Sequence, residues 1–155
     1  MTFAQTIEVV MKIKLSAATL RAIEAHVEAA YPNEGAGFML GETSGDTVVI
    51  EKLLPLENKR EQEAQHNRFE LVPMDFDRAE READDQGVDL VGVFHSHPDH
   101  PAQPSEFDRD HALPNFSYLI TKVAGVDGEG KAQITRAWRL RDDHTAFDED
   151  ELIAD

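Results

Sequence analysis

Apolar and polar positions change period several times along the chain, and each change marks a predicted element. Glu8 to Lys14 is short, apolar-rich and β-branched, and reads as a strand. From Ser16 onward Leu20, Ile23, Val27 and Ala30 recur three or four positions apart, so the spacing predicts a helix capped by Ser16 and ending before Pro32. Ala36 to Gly41 and Thr47 to Leu56 follow as the strands of a hairpin, with Thr43 to Asp46 supplying the turn. Asn67 to Val72 is a candidate further strand. Pro73 suits the first turn of a helix to about Gln86, with Phe76 and Ala79 or Ala83 inward, acids outward and Gly87 as its stop.

Val88 to Phe94 is mostly apolar, the pattern of a strand covered on both faces and therefore central in its sheet. A proline-rich loop and a short helix near Ser105 to Ala112 come next, then strands at Phe116 to Val123 and Ala132 to Leu140, joined across Gly125, Gly128 and Gly130. Strands mixed with helices predict an α/β domain of three layers, a mixed β-sheet flanked by helices. No repeat or low-complexity linker divides residues 1–141, so one domain is expected there, and the acidic segment 142–155 is expected to be a frayed tail.

Composition narrows the function. The 155 residues carry 15 basic against 31 acidic side chains, a net charge of −16. Neutralising phosphates takes clustered Lys and Arg, so neither nucleic acid nor an anionic membrane is an expected partner. Acid spread along the whole chain points to a strongly solvated surface, which would suit a high-salt cytoplasm. No run approaches ~18 apolar residues, and the first ten residues lack a basic, apolar leader pattern, so a cytoplasmic protein is expected. The absence of cysteine removes disulfides, thiolate nucleophiles and sulfur-based zinc sites. Any metal must sit on His, Asp or Glu.

His95-Ser96-His97-Pro98 stands at the end of the central strand, and ten residues separate His97 from Asp108. Side chains two apart on a strand share a face, so His95 and His97 can present both imidazoles to one ion while Ser96 points away. Asp108 would complete the three protein ligands of a catalytic zinc, with water in the fourth position. Pro98, Pro101 and Pro104 stiffen the loop between, and Ser105-x-x-Asp108 is also a helix-capping pattern. Taken apart, strand histidines and a capped helix are ordinary; the whole string at fixed offsets is specific. His100 and His111 flank the loop without sharing the face of His95 and His97. His26 falls on the first helix and His144 in the tail, where solvated histidines are the ordinary explanation. His66, Asn67 and Phe69 are candidates for a substrate groove or a plain strand edge, and Asp99 for a partner that orients a histidine ring.

That string, together with Pro32-Asn33-Glu34-Gly35-Ala36-Gly37 after the first helix, resembles the JAMM (MPN-plus) zinc metallopeptidases of the single-domain prokaryotic type, over roughly residues 8 to 140. The resemblance implies a JAMM/cytidine-deaminase-like fold with residues 1–141 as the catalytic domain. It implies His95, His97 and Asp108 as zinc ligands, Glu34 as the general acid/base and Ser105 as the group that steadies the oxyanion. Ala36 stands where many members have cysteine, at a strand packing position where little loss of chemistry is expected. The implied reaction is hydrolysis of a peptide or isopeptide bond at the C-terminal Gly-Gly tail of a ubiquitin-like or sulfur-carrier protein. The alternative is a non-catalytic MPN-type scaffold, against which every ligand position is filled. A nucleoside-deaminase-type site would want Pro-Cys-x-x-Cys and an HExxH peptidase its own string, and neither occurs.

Overall fold

The computed structural model describes residues 10–57 and 71–155. Among these the order is β1 (Lys12–Leu15), α1 (Ala17–Ala30), β2 (Ala36–Ser44), β3 (Thr47–Leu56), α2 (Pro73–Gln86), β4 (Asp89–Pro98), α3 (Glu106–His111), β5 (Ser117–Val126), β6 (Glu129–Leu140) and β7 (Phe147–Ala154). Local chemistry sets the ends of the helices. The Ser16 hydroxyl accepts the Thr19 N–H at 3.0 Å and caps α1. Pro73 opens α2, and Gly87 closes it in the left-handed conformation at φ 70°.

The strands lie in the order β1-β3-β2-β4-β5-β6-β7. β4 runs parallel to β5 and antiparallel to β2, inside the sheet, as its apolar run predicts. Neighbouring residues on β2 and β4 alternate between two cores. Met39 and Phe94 join Ile23 and Val27 of α1 in one cluster; Phe38 and Val93 join Phe76 and Ala79 of α2 in the other. Helices thus pack on both faces of the strands that carry the candidate site. No helix among the described residues is long and apolar enough to cross a membrane.

The C-terminal segment differs from expectation. Rather than fraying after Asp142, the chain forms β7, which pairs antiparallel with β6 from Leu140↔Phe147 to Ala137↔Asp150 and parallel with β1 from Lys12↔Glu151 to Leu15↔Ala154. This closes the sheet into a barrel, where a layered mixed sheet was expected. The physical reason is charge pairing across the ladder: Arg136 and Arg139 of β6, and Arg141 just beyond its end, bind Glu149, Asp150 and Asp148 of β7. Asp150, buried, also accepts the Met11 N–H at 3.0 Å. Residues 67–70 of the candidate strand Asn67 to Val72, and with them Asn67 and Phe69, lie outside the described residues, as do His66 and the first residues of the strand read from Glu8. Leu71 and Val72 enter α2 without strand pairing.

Candidate metal centre

Two elements bring three donors together. His95 and His97 share a face of β4 with ring centroids 5.1 Å apart, and Asp108 meets them from the first turn of α3. His97 Nε2 lies 3.1 Å from Asp108 Oδ2, and His95 Nε2 lies 3.5 Å from Oδ1. One ligating atom from each residue falls within 4.8 Å of the others, a spacing that suits a single ion. Two of the donors have support from behind. The His97 Nδ1–H donates to the Pro101 carbonyl at 2.9 Å, which turns Nε2 toward Asp108. Asp108 Oδ2 accepts the Ser105 N–H at 2.8 Å, while the Ser105 Oγ accepts the Asp108 N–H at 3.1 Å. The predicted cap and the predicted ligand are therefore one device.

Glu34 arrives through strand pairing. β2 sets Ala36 opposite His95, and Ser96, on the other face of β4, anchors the chain just before it. Its Oγ accepts the Gly35 N–H at 2.9 Å and its N–H donates to the Gly35 carbonyl at 3.0 Å. Glu34 is only 9% exposed and lines one cleft with His95, Asp108, Phe76 and Tyr118. It also borders a second cleft, toward His26, Asn33 and Leu56. Ser105 borders a third, beside Trp138 and Phe147.

Electrostatics act differently on the three donors. Burial pushes the His95 imidazole below its ordinary value, so the ring is neutral at pH 7. Burial acts the same way on His97 but is outweighed by the hydrogen bond to Asp108, the Pro101 carbonyl and the charges of Asp108 and Glu34, so this ring binds its proton more tightly than usual. Burial also opposes ionisation of Asp108, yet the two imidazoles and the Ser105 N–H hold it well below the ordinary carboxylate range. Two imidazole nitrogens and an ionised carboxylate, each oriented by a backbone group or by burial, are a donor set that fits zinc.

The remaining candidates resolve into structural roles. His26 is not solvated: its Nε2–H donates to the Ala36 and Leu56 carbonyls at 3.1 and 3.0 Å. His111 stacks on Phe107 with centroids 4.0 Å apart and bonds that residue's carbonyl at 2.8 Å. His100 and His144 are exposed, away from the donor cluster. Asp99 touches Tyr31 and Gly125 rather than a histidine ring; the acceptor that orients His97 is a main-chain carbonyl, which no side-chain pattern announces.

The mixed α/β sheet, with two histidines on a central strand beside an aspartate at the following helix start, has the fold of JAB1/MPN-domain structures. Residues 16–141 match the prokaryotic homologs of the JAB domain, and the chain belongs to this family. It is 28% identical over 107 residues to a Thermus thermophilus protein named "Probable TtuB-protein conjugate cleaving protease", covering 69% of this chain and 68% of that one. It is 36% identical over 91 residues, 59% of its length, to tail tip assembly protein K of Escherichia phage N15, and the chain spans 32%, about a third, of that phage protein. A solution structure from Salinibacter ruber, 37% identical, matches with a TM-score of 0.70 over 92% of this chain and 91% of the other. The structure titled "JAMM: A Metalloprotease-like Zinc Site in the Proteasome and Signalosome" shares the fold at 19% identity, with a TM-score of 0.51 over 94% of this chain and 98% of that one.

Proposed function

We propose that this chain is a zinc metallopeptidase that hydrolyses a peptide or isopeptide bond at the C-terminal Gly-Gly tail of a ubiquitin-like or sulfur-carrier protein. The observation that supports this most is the convergence of Glu34, His95 and Asp108 on one cleft, from three separate segments of the chain. His95, His97 and Asp108 would hold the zinc, which when bound supplies a Lewis acid that polarises a carbonyl and lowers the pKa of water. Glu34 takes the proton of the attacking water and delivers it to the departing amine. Ser105 accepts the Asp108 N–H through Oγ, and its O–H is the proposed donor to the developing oxyanion.

The substrate class rests on kinship with the Thermus protein named for cleaving a TtuB conjugate. The geometry accords with an extended tail: Glu34 borders two clefts, so a chain lying from one to the other crosses the carboxylate. Glycines, having no side chain, pass closest.

The test is mass-spectrometric cleavage of Gly-Gly-linked fusions and lysine isopeptides by the zinc-loaded protein. Wild type is expected to release the group after the second glycine. Glu34→Gln is expected to keep its zinc and lose on the order of 10²-fold or more in turnover. No cleavage of any Gly-Gly conjugate by zinc-replete protein contradicts the proposal. The scaffold alternative instead predicts that Glu34→Gln leaves every cellular phenotype intact.

A further inference from the structure

Glu34 and the histidine pair come from distant parts of the chain, and one side-chain hydrogen bond ties their flanks together outside the clefts. Tyr31, the C-cap of α1 and three residues before Glu34, donates its hydroxyl to Asp99 Oδ2 at 2.6 Å. Asp99, two residues after His97, accepts the Gly125 N–H on Oδ1 at 2.9 Å and donates its own N–H to the Val123 carbonyl at 2.7 Å. Its backbone is left-handed, φ 58°, a conformation that few residues other than glycine adopt and that aspartate tolerates better than most. That turn brings the Pro101 carbonyl back to His97 Nδ1.

The tyrosine's path is built into the sheet. A Cβ at Gly125 would run into the Tyr31 hydroxyl, and one at Gly130 into the Tyr31 Cβ, so only glycine at both places lets the ring cross the β5–β6 hairpin. One turn earlier, Glu28 accepts the Ala132 N–H at 2.8 Å and fastens the end of α1 to the same hairpin. The hydrogen bond therefore links the segment leading to Glu34 with the turn that aims His97, over a rigid base.

We propose that Tyr31 and Asp99 are positioning residues of the metal centre, their hydrogen bond holding the turn that aims His97 and, through it, the segment that leads to Glu34. The idea rests on the metal reading above. Tyr31→Phe deletes only the hydroxyl, Asp99→Ala deletes both acceptor oxygens, and Asp99→Asn keeps one oxygen for the Gly125 N–H, presents an amide N–H to the Tyr31 oxygen and keeps the tolerance of a left-handed backbone. Two measurements separate positioning from mere support. The first is hydrogen exchange of the metal-free protein over residues 31–38 and 97–104. The second is cobalt(II) titration, read by affinity and by the visible absorption spectrum.

Expected for Tyr31→Phe and Asp99→Ala are faster exchange in both segments, a cobalt affinity lowered by about 10-fold or more, as for other groups that orient metal ligands, and displaced absorption bands. Asp99→Asn should stay near wild type in all three. Unchanged exchange overturns the proposal. So does faster exchange with wild-type affinity and spectrum, since that is the behaviour of a bond that only supports the fold. Wild-type protein that takes up no cobalt overturns the metal reading itself, and this proposal with it.

Discussion

Each candidate donor has its protonation set by different neighbours, and pH should reveal this. His95 is neutral because it is buried, His97 is aimed by the Pro101 carbonyl, and Asp108 is ionised through its imidazole and Ser105 N–H partners. Asp108, shifted down, stays ionised throughout the range in which imidazoles titrate, so protons compete with metal only at the histidines. His97, shifted up, is protonated first as pH falls, and His95, shifted down, last. Equilibrium dialysis should therefore find zinc retained at pH 7 to 8 and released as pH falls through the imidazole region near ~6.5; full retention at pH ~4 contradicts the site. The grouping of His95, His97 and Asp108 could be read from the sequence because strand and cap geometry fix their offsets, whereas Glu34 came only from the family resemblance, since the fold alone brings it near them. Tyr31, Ser96 and the Pro101 carbonyl could not, since their partners are chosen by the path of the backbone. His26 escaped for the same reason, its two acceptors being carbonyls on β2 and β3.

At the scale of elements, β4 serves both its faces. The histidine face meets Asp108, and the opposite face meets Gly35 through Ser96, so one strand places the candidate metal donors and the segment that carries Glu34 together. Ser96→Ala would leave the Gly35 N–H without its side-chain acceptor in a buried place, at a cost of about 1 to 3 kcal/mol in urea denaturation. Because Gly35 adjoins Glu34, turnover should fall more than zinc content; a variant that loses zinc but turns over normally per bound ion would contradict this role. Caps and apolar spacing made α1, α2 and α3 readable. Strand extents were less so: β4 runs on to Pro98 and β6 begins at Glu129, because ladder pairing carries strands past residues whose own pattern is polar or glycine-rich.

For the whole molecule the acidic C-terminus matters most. Its run of acids resembles a solvated tail, and three arginines on or just beyond the neighbouring strand turn it into the strand that closes the sheet. Asp150 is the buried member, its side chain 1% exposed against 27% for Arg139. Arg139→Leu leaves that carboxylate, among the described residues, with the Met11 N–H alone, and should cost about 3 kcal/mol, the low end for breaking a buried pair because the arginine is partly solvated. A loss below about 1 kcal/mol in chemical denaturation would mean that β7 is held mainly by its backbone ladder. Arginine spacing on one strand cannot tell a reader which acids lie opposite, so closure became visible only with the register.

The metal is the point on which the chemistry turns, and metal content is its most direct measure. Wild type and Glu34→Gln, purified in zinc and passed through gel filtration, should each carry about one zinc per chain by plasma mass spectrometry, with Asp108→Asn well below that. Wild-type protein emerging without zinc, or Asp108→Asn holding as much as wild type, would contradict a centre built on His95, His97 and Asp108.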